Sequence, residues 1–146
     1  MRQSTKLFMT LRNLFRLYDK MLKAVCTEHD LTLVEADVIS FLENNPGKDT
    51  AADIVQLRML SKGAVSKAVE ALIQKGLLQR IPDTQDRRKI HLRLEEAAGP
   101  VLLDIDHVRE AFLDTVLDGF TKEELAQNAL FFDKVFDNLV NAMKPQ

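Results

Sequence analysis

A single amphipathic stretch followed by two alternating runs constrains the fold of this 146-residue chain more than any other feature. Apolar residues between positions 65 and 73 recur at i, i+3, i+4, i+7 and i+8, which predicts one narrow buried stripe on a helix of about 62–75. Two short runs, 77–81 and 89–94, flank a polar turn and predict a β-hairpin. A hairpin that directly follows such a helix is typical of a wing.

Helix-capping signals predict two further helices upstream, over about 33–44 and 51–57. Each begins after a hydroxyl side chain that can accept a hydrogen bond from a free N–H of the first turn. The capping residues of these helices and of the helix at 62–75 are Thr32, Thr50 and Ser61. With the hairpin, these helices predict a winged helix-turn-helix lobe over residues 31–94.

Long apolar faces in both terminal regions predict helices that pair with a second copy of the chain. In a helix of about 4–28, apolar residues alternate steps of four and three, as in a heptad seam. Two more amphipathic helices are expected after residue 97, separated by Gly119. The seam consists of Leu7, Leu11, Leu14, Tyr18, Met21 and Val25. We therefore assign 1–30 and 95–146 to dimerisation helices, and the fold class is mainly α with a small β-hairpin wing.

Charge is distributed unevenly along the chain. The net charge is only −2, but residues 58–93 carry nine Lys/Arg against three acidic residues, so that this segment is +6 and the remainder is −8. Local basicity of this kind indicates a polyanionic partner, although a solvated surface on an ordinary domain also produces it.

The face of the 62–75 helix opposite the apolar stripe carries short polar and basic side chains. Such a face suits the major groove of DNA, where Ser, Lys or Gln can bond base edges or phosphates. The turn of the hairpin carries three consecutive cations, which a phosphate backbone or a narrow minor groove would favour. The residues predicted to contact double-stranded DNA are Ser61, Lys62, Gly63, Ser66, Lys67, Gln74, Gln85, Arg87, Arg88 and Lys89.

The two arginines of the turn are expected to have different roles. Adjacent residues of a strand point to opposite faces, so both are not expected to reach the same groove. We predict that either Asp83 or Asp86 holds one of Arg87 and Arg88 inside the hairpin by a charge-assisted bond. The other arginine would face DNA.

Several stretches of the chain resemble the MarR family of winged-helix transcriptional regulators. They are residues 60–67, the Gly-Leu exit within 72–80, the wing motif Asp-Thr-Gln-Asp-Arg-Arg at 83–88, and 92–94. The resemblance implies a homodimer that represses genes from an inverted-repeat operator and is released by a small-molecule effector bound between the dimerisation helices and the lobe. Family members often have arginine at the third wing position, where this chain has Gln85.

Other classes of function are weaker fits to the sequence. No nucleophile-elbow, HExxH, P-loop or dinucleotide-binding fingerprint is present, so we expect neither an enzyme nor a cofactor or metal site. A dimeric interaction module that does not bind DNA stays open. So does a metal- or redox-responsive regulator of the same fold. Candidate sensing residues are Cys26, His29, Asp37, Asp104 and His107, and candidate pocket linings are Phe8, Phe15, Phe41 and Phe112.

The N-terminal segment has charges throughout and no uninterrupted apolar stretch, unlike a secretory signal. No apolar run approaches the roughly 20 residues that a membrane-spanning helix needs. The single cysteine rules out an internal disulfide framework. We therefore expect a cytoplasmic protein without a membrane partner.

Overall fold

The computed structural model describes residues 1–145 and contains a winged helix-turn-helix, so the predicted fold class is confirmed. Its helices and strands, in chain order, are α1 (Gln3–His29), α2 (Leu33–Asn44), α3 (Ala51–Arg58), α4 (Lys62–Gln74), β1 (Leu78–Pro82), β2 (Ile90–Leu94), α5 (Gly99–Val116) and α6 (Lys122–Ala142). The chain forms two compact units, the first spanning residues 1–112 and the second beginning at 113. The division into a lobe at 31–94 and dimerisation helices stays a prediction.

The capping residues lie where the sequence predicts them. Thr32, Thr50 and Ser61 accept hydrogen bonds from backbone N–H groups three residues later, and each begins its helix. Gly76, just past the end of α4, has a φ of +75°, a conformation that glycine adopts without steric cost. Ser61 and Gly76 thus mark the two ends of α4, the helix that carries the predicted interface.

The core of the first unit lies between α2, α3, α4 and the hairpin. The apolar stripe of α4 is buried as predicted at Val65, Ala68, Val69 and Leu72. The largest fully buried side chains are Phe41, Ile39, Ile54, Leu72, Leu78, Ile105, Val38 and Val65. Because α2, α3, α4 and β1 all contribute to this set, the base of the hairpin packs on the same core as α4.

β1 and β2 form a two-stranded antiparallel sheet in which Leu78 pairs with Leu94 and Pro82 with Ile90. Leu78 and Leu92 point into the core, as expected for strands with one buried face. The loop from 83 to 89 connects them. We call β1, this loop and β2 the wing.

The fifth helix begins two residues later than the sequence predicts. A 3₁₀ turn over Glu96–Ala98 precedes α5, and the Ala98 N–H donates to the Glu95 carbonyl. Pro100 then occupies the first turn of α5, where a missing N–H costs nothing. Within residues 1–145, no helix combines the length and the apolar character needed to cross a membrane.

Candidate nucleic-acid interface

α4 presents a polar face to solvent, opposite its buried stripe. Lys62, Ser66 and Lys67 are exposed, and a turn of 100° per residue places them within about 140° of one another. Gly63 is exposed on the same face, and a Cβ added there would meet nothing within 4 Å. Packing within the described chain therefore does not require glycine at this position. An exposed backbone at a helix N-terminus can approach a phosphate closely.

Two other predicted contact residues have different surroundings. The Ser61 hydroxyl accepts a hydrogen bond from the Ala64 N–H at 3.1 Å, so its oxygen caps α4. Gln74 is exposed but is the last residue of α4, about 12 Å along the helix axis from Ser66. The first turns of α4 thus gather Lys62, Gly63, Ser66 and Lys67, whereas Gln74 lies apart from them.

The loop of the wing is organised by two carboxylates. Asp83 Oδ2 accepts hydrogen bonds from the backbone N–H groups of Gln85 at 3.0 Å and Asp86 at 2.8 Å. Asp86 Oδ1 accepts from the Arg88 N–H at 3.0 Å, and the Lys89 N–H donates to the Asp86 carbonyl. The backbone of the loop is therefore shaped by its own aspartates, and its long side chains are left free.

This arrangement corrects one prediction from the sequence. Neither Asp83 nor Asp86 forms an ion pair with Arg87 or Arg88 in the described residues, and both arginines are exposed. The two carboxylates bond backbone N–H groups instead. The turn itself positions these backbone donors, so bonding them costs no further conformational entropy. An arginine, in contrast, would lose side-chain entropy on pairing.

Sequence reasoning missed the side chain that does pair with Asp83. His91, on β2, lies with its Nε2 atom 2.7 Å from Asp83 Oδ1 and its Nδ1 atom 2.7 Å from Asp49 Oδ1. Asp49 precedes α3, and its carbonyl accepts a hydrogen bond from the Leu92 N–H at 2.7 Å. The hydrogen bonds with Asp83 and Asp49 raise the pKa of His91 above its usual value of 6.5. The bond with Asp83 has the larger effect. His91 and two backbone N–H groups also lower the pKa of Asp83 to about 2.

The nine cations between residues 58 and 93 divide into two groups. Three are paired with acidic residues of the same chain: Arg58 with Asp37 at 3.5 Å, Lys75 with Glu35 at 2.6 Å, and Arg80 with Glu70 at 2.6 Å. Within residues 1–145, the other six form no ion pair: Lys62, Lys67, Arg87, Arg88, Lys89 and Arg93. The charge available to a polyanion is thus concentrated on α4 and the wing.

A cavity of about 310 Å³ lies between α1, α2, α5 and the end of α3. Its walls include Phe15, Tyr18, Asp37, Ser40, Arg58 and Ile105. Burial raises the pKa of Asp37, and the nearby Arg58 opposes that rise. Of the other aromatic residues proposed as linings, Phe41 is in the core, Phe8 is exposed, and Phe112 packs edge-on against Tyr18.

The candidate sensing residues do not all come together. Among the described residues, His29 and Asp104 join Glu28 in a group whose possible ligand atoms lie within 4.8 Å of one another, and this group does not include Cys26, Asp37 or His107. His29 Nε2 is already 2.7 Å from Asp104 Oδ2. Cys26 is buried. Its burial raises the pKa of its thiol, and the negative charges of Glu35 and Asp19 raise that pKa to a smaller extent. A protonated buried thiol reacts slowly, which disfavours the redox-responsive alternative.

Similarity to known proteins agrees with this geometry. A model of the MarR family matches residues 29–89, which include α2, α3, α4 and most of the wing. The HTH-type transcriptional regulator PecS of Dickeya dadantii is 26% identical over 137 residues, which are 90% of this chain and 81% of that protein.

Solved structures share the fold over nearly the whole chain. A MarR transcriptional regulator from Methanosarcina mazei Go1 superimposes with a TM-score of 0.83 at 14% identity, covering 95% of this chain and 99% of that one. The S. aureus MepR–DNA complex gives a TM-score of 0.72 at 19% identity, covering 94% and 98%. At these identities the structures establish a shared fold.

Proposed function

We propose that this chain, which belongs to the MarR family of transcriptional regulators, acts as a homodimer that binds an inverted-repeat operator in double-stranded DNA and represses transcription. One observation carries the proposal. The six cations without an ion pair in the described chain lie on α4 and the wing, the two elements that contact grooves and phosphates in winged-helix proteins. A solvated surface would not require the unpaired cations to gather on these two elements.

The proposed contacts follow from the geometry of each element. Lys62, Gly63, Ser66 and Lys67 enter the major groove with the first turns of α4. Arg87, Arg88 and Lys89 extend from the wing to the phosphates or the minor groove. Because Arg87 and Arg88 are both exposed, we now expect both to contribute to affinity. Gln85 lies on the same loop and, being uncharged, adds less than an arginine there would.

Two exposed apolar surfaces support the homodimer. The seam of α1 is buried at Val25 but open to solvent at Leu7 and Leu11, so the chain itself covers only the C-terminal part of that seam. α6 has no buried residue among those described, although it carries several large apolar side chains. Soluble monomers rarely leave apolar faces of this extent uncovered, and a second copy of the chain is the occupant that the family predicts.

A random-sequence duplex library tests DNA recognition directly. We expect the protein to enrich an inverted repeat whose half-sites lie roughly 10 base pairs apart, centre to centre, because two α4 helices of a two-fold dimer sit about 34 Å apart. Affinity for the enriched duplex should fall steeply with salt. Enrichment of no sequence, together with binding that is insensitive to salt, would favour the interaction module over a regulator.

Substitutions on α4 identify the recognition face. We expect Lys67→Ala and Ser66→Ala to weaken binding while leaving the free energy of unfolding within about 0.5 kcal/mol of the original, since both side chains are exposed. Loss of a phosphate contact lowers the slope of affinity against salt by about one, whereas loss of a base contact relaxes specificity by about 1–3 kcal/mol. Lys20→Ala, at an exposed lysine of α1, is the matched control. Unchanged affinity in both α4 variants would show that another surface binds DNA.

The cavity between α1, α2, α5 and the end of α3 supports release by an effector. Arg58 lines this cavity and ends α3, and Ser61 begins α4 only three residues later. Met59, between them, has a φ of +55°, so this turn has little freedom to adapt. A small, largely apolar ligand with one anionic group can compete with Asp37 for Arg58 and thereby displace the start of α4.

A screen of small aromatic acids tests this mechanism. Compounds that bind should stabilise the protein, by about 2.7 kcal/mol at a hundred times their Kd, and should release the enriched duplex. Arg58→Gln should remove the release, while Arg12→Gln, at an exposed arginine of α1, should retain it. Equal release from both variants would place the effector elsewhere.

A further inference from the structure

The two contacts of His91 join the base of the wing loop to the helix-turn-helix. Asp83 opens the loop, whereas Asp49 belongs to the segment between α2 and α3. The Leu92 N–H fastens β2 to the same Asp49. Leu78 and Leu92 anchor the two strands in the core, so the contacts of His91 act on the loop end of the wing.

Both contacts together require a charged imidazole. A neutral histidine has one N–H donor and one bare nitrogen, so it can donate to only one of two carboxylates. Each ring nitrogen of His91 lies 2.7 Å from a carboxylate oxygen, and in the neutral form one of those distances would bring two lone pairs together. The charged groups around the ring are Asp49 and Asp83, with Glu43 of α2 and Arg93 of β2 lining the adjacent cavity.

We propose that His91 is a positioning residue of the wing, which fastens the basic loop to the helix-turn-helix only while its imidazole is protonated, so that affinity for DNA falls as pH rises. The proposal rests on the proposed DNA-binding function, because the loop it positions carries Arg87, Arg88 and Lys89. His91 itself is half-buried, and its two ring nitrogens face Asp49 and Asp83, neither of which lies on α4.

The direction of the pH dependence follows from both partners. The pKa of His91 is raised above 6.5, so the contact is complete below that pH and is lost as pH rises through the higher value. The pKa of Asp83 is lowered from 3.8 to about 2, so the contact fails on the acid side only at pH values below about 3.8. Within the range of physiological pH, only the rise in pH loosens the wing.

Affinity for the enriched duplex, measured at about pH 6 and about pH 8.5, tests the proposal. We expect the original protein to lose roughly tenfold in affinity over this range, because both wings of the dimer lose their placement. His91→Gln should bind weakly at both pH values. His91→Arg should bind tightly at both, since a guanidinium keeps its charge and can donate to two carboxylates. His29→Gln, at a half-buried histidine paired with Asp104, should keep the original profile.

A second measurement does not depend on DNA. In NMR spectra of the free protein, the backbone amides of Gln85 and Asp86 should shift with the same midpoint as the His91 ring, because Asp83 bonds both amides and His91. Asp49→Asn should move that midpoint to lower pH. Coupled shifts in a protein that binds no DNA would uphold the positioning role while overturning the proposed function. Amides that ignore the His91 titration, or a His91→Gln variant with the original pH profile, would overturn the inference.

Discussion

Phe136→Glu is expected to convert the proposed dimer into a species of 16.6 kDa that no longer binds the proposed operator. Phe136 is 65% exposed in the single chain and lies on α6 within one narrow stripe of large apolar side chains. The stripe consists of Leu125, Phe132, Phe136, Leu139 and Met143. At 100° per residue these positions fall within about 60° of one another, as expected for a face that packs against another surface.

The size of the effect follows from two-fold symmetry. Each contact of a symmetric dimer occurs twice, and burial of one phenylalanine is worth about 1.5–3 kcal/mol. Loss of two such contacts therefore weakens association by about 3–6 kcal/mol, or about 10²- to 10⁴-fold in Kd. Two carboxylates left in an apolar interface add a desolvation cost to that figure. Loss of the dimer also lowers affinity for DNA, because the single α4 of a monomer reaches only one half-site.

Sedimentation velocity at micromolar concentration, with circular dichroism on the same samples, checks this expectation. Asn138→Glu introduces the same charge two residues away, on the opposite side of α6, and should leave the dimer intact. A dimer that survives Phe136→Glu would show that α6 is not part of the interface. The original protein sedimenting as a folded 16.6 kDa monomer would contradict the homodimer itself.

Features set by neighbouring residues could be predicted from the sequence. The helix caps at Thr32, Thr50 and Ser61 depend on a backbone N–H only three residues away, and the buried stripe of α4 depends on helical period alone. The hairpin follows from alternation around a polar turn. For these reasons the sequence alone predicts the order of the elements and the exposure of Lys62, Ser66 and Lys67.

Contacts between distant residues could not be predicted in this way. His91 and Asp49 are 42 residues apart, and no spacing rule connects a strand residue to the segment before α3. The choice of partner for Asp83 was predicted wrongly for a related reason. Arg87 and Arg88 are close in sequence to both aspartates. The carboxylates of those aspartates are instead bonded by backbone N–H groups of the loop and, at Asp83, by His91. The seam of α1 is a further case. Val25 is buried and Leu7 is exposed, because the rest of the chain packs only against the C-terminal part of α1.

A second distant contact carries the other large effect that we expect. Lys75 Nζ lies 2.6 Å from Glu35 Oε1 and also donates to the Asp30 carbonyl, while the Thr32 hydroxyl donates to Glu35 Oε2 at 3.0 Å. One lysine just past α4 thus joins the end of α1 to the start of α2. The Glu35 side chain is only 7% exposed, so its carboxylate depends on this partner for compensation of its charge.

Lys75→Met keeps the length of the side chain and removes the charge, and we expect it to destabilise the protein by about 2–3 kcal/mol. Removing one member of a fully buried pair costs about 3–5 kcal/mol, and the 32% exposure of Lys75 reduces that figure because water reaches the site. Denaturant unfolding, with an unchanged m-value, measures the loss. Lys67→Met, at an exposed lysine of α4, should change stability by less than about 0.5 kcal/mol. Adding Glu35→Gln to Lys75→Met should recover part of the loss, because an uncharged amide can still accept from Thr32. Two outcomes would contradict this explanation: a Lys75→Met variant as stable as the control, or a double variant less stable than Lys75→Met alone. In either case the buried carboxylate would not be the source of the effect, and the orientation of α4 against α1 would depend on apolar packing alone.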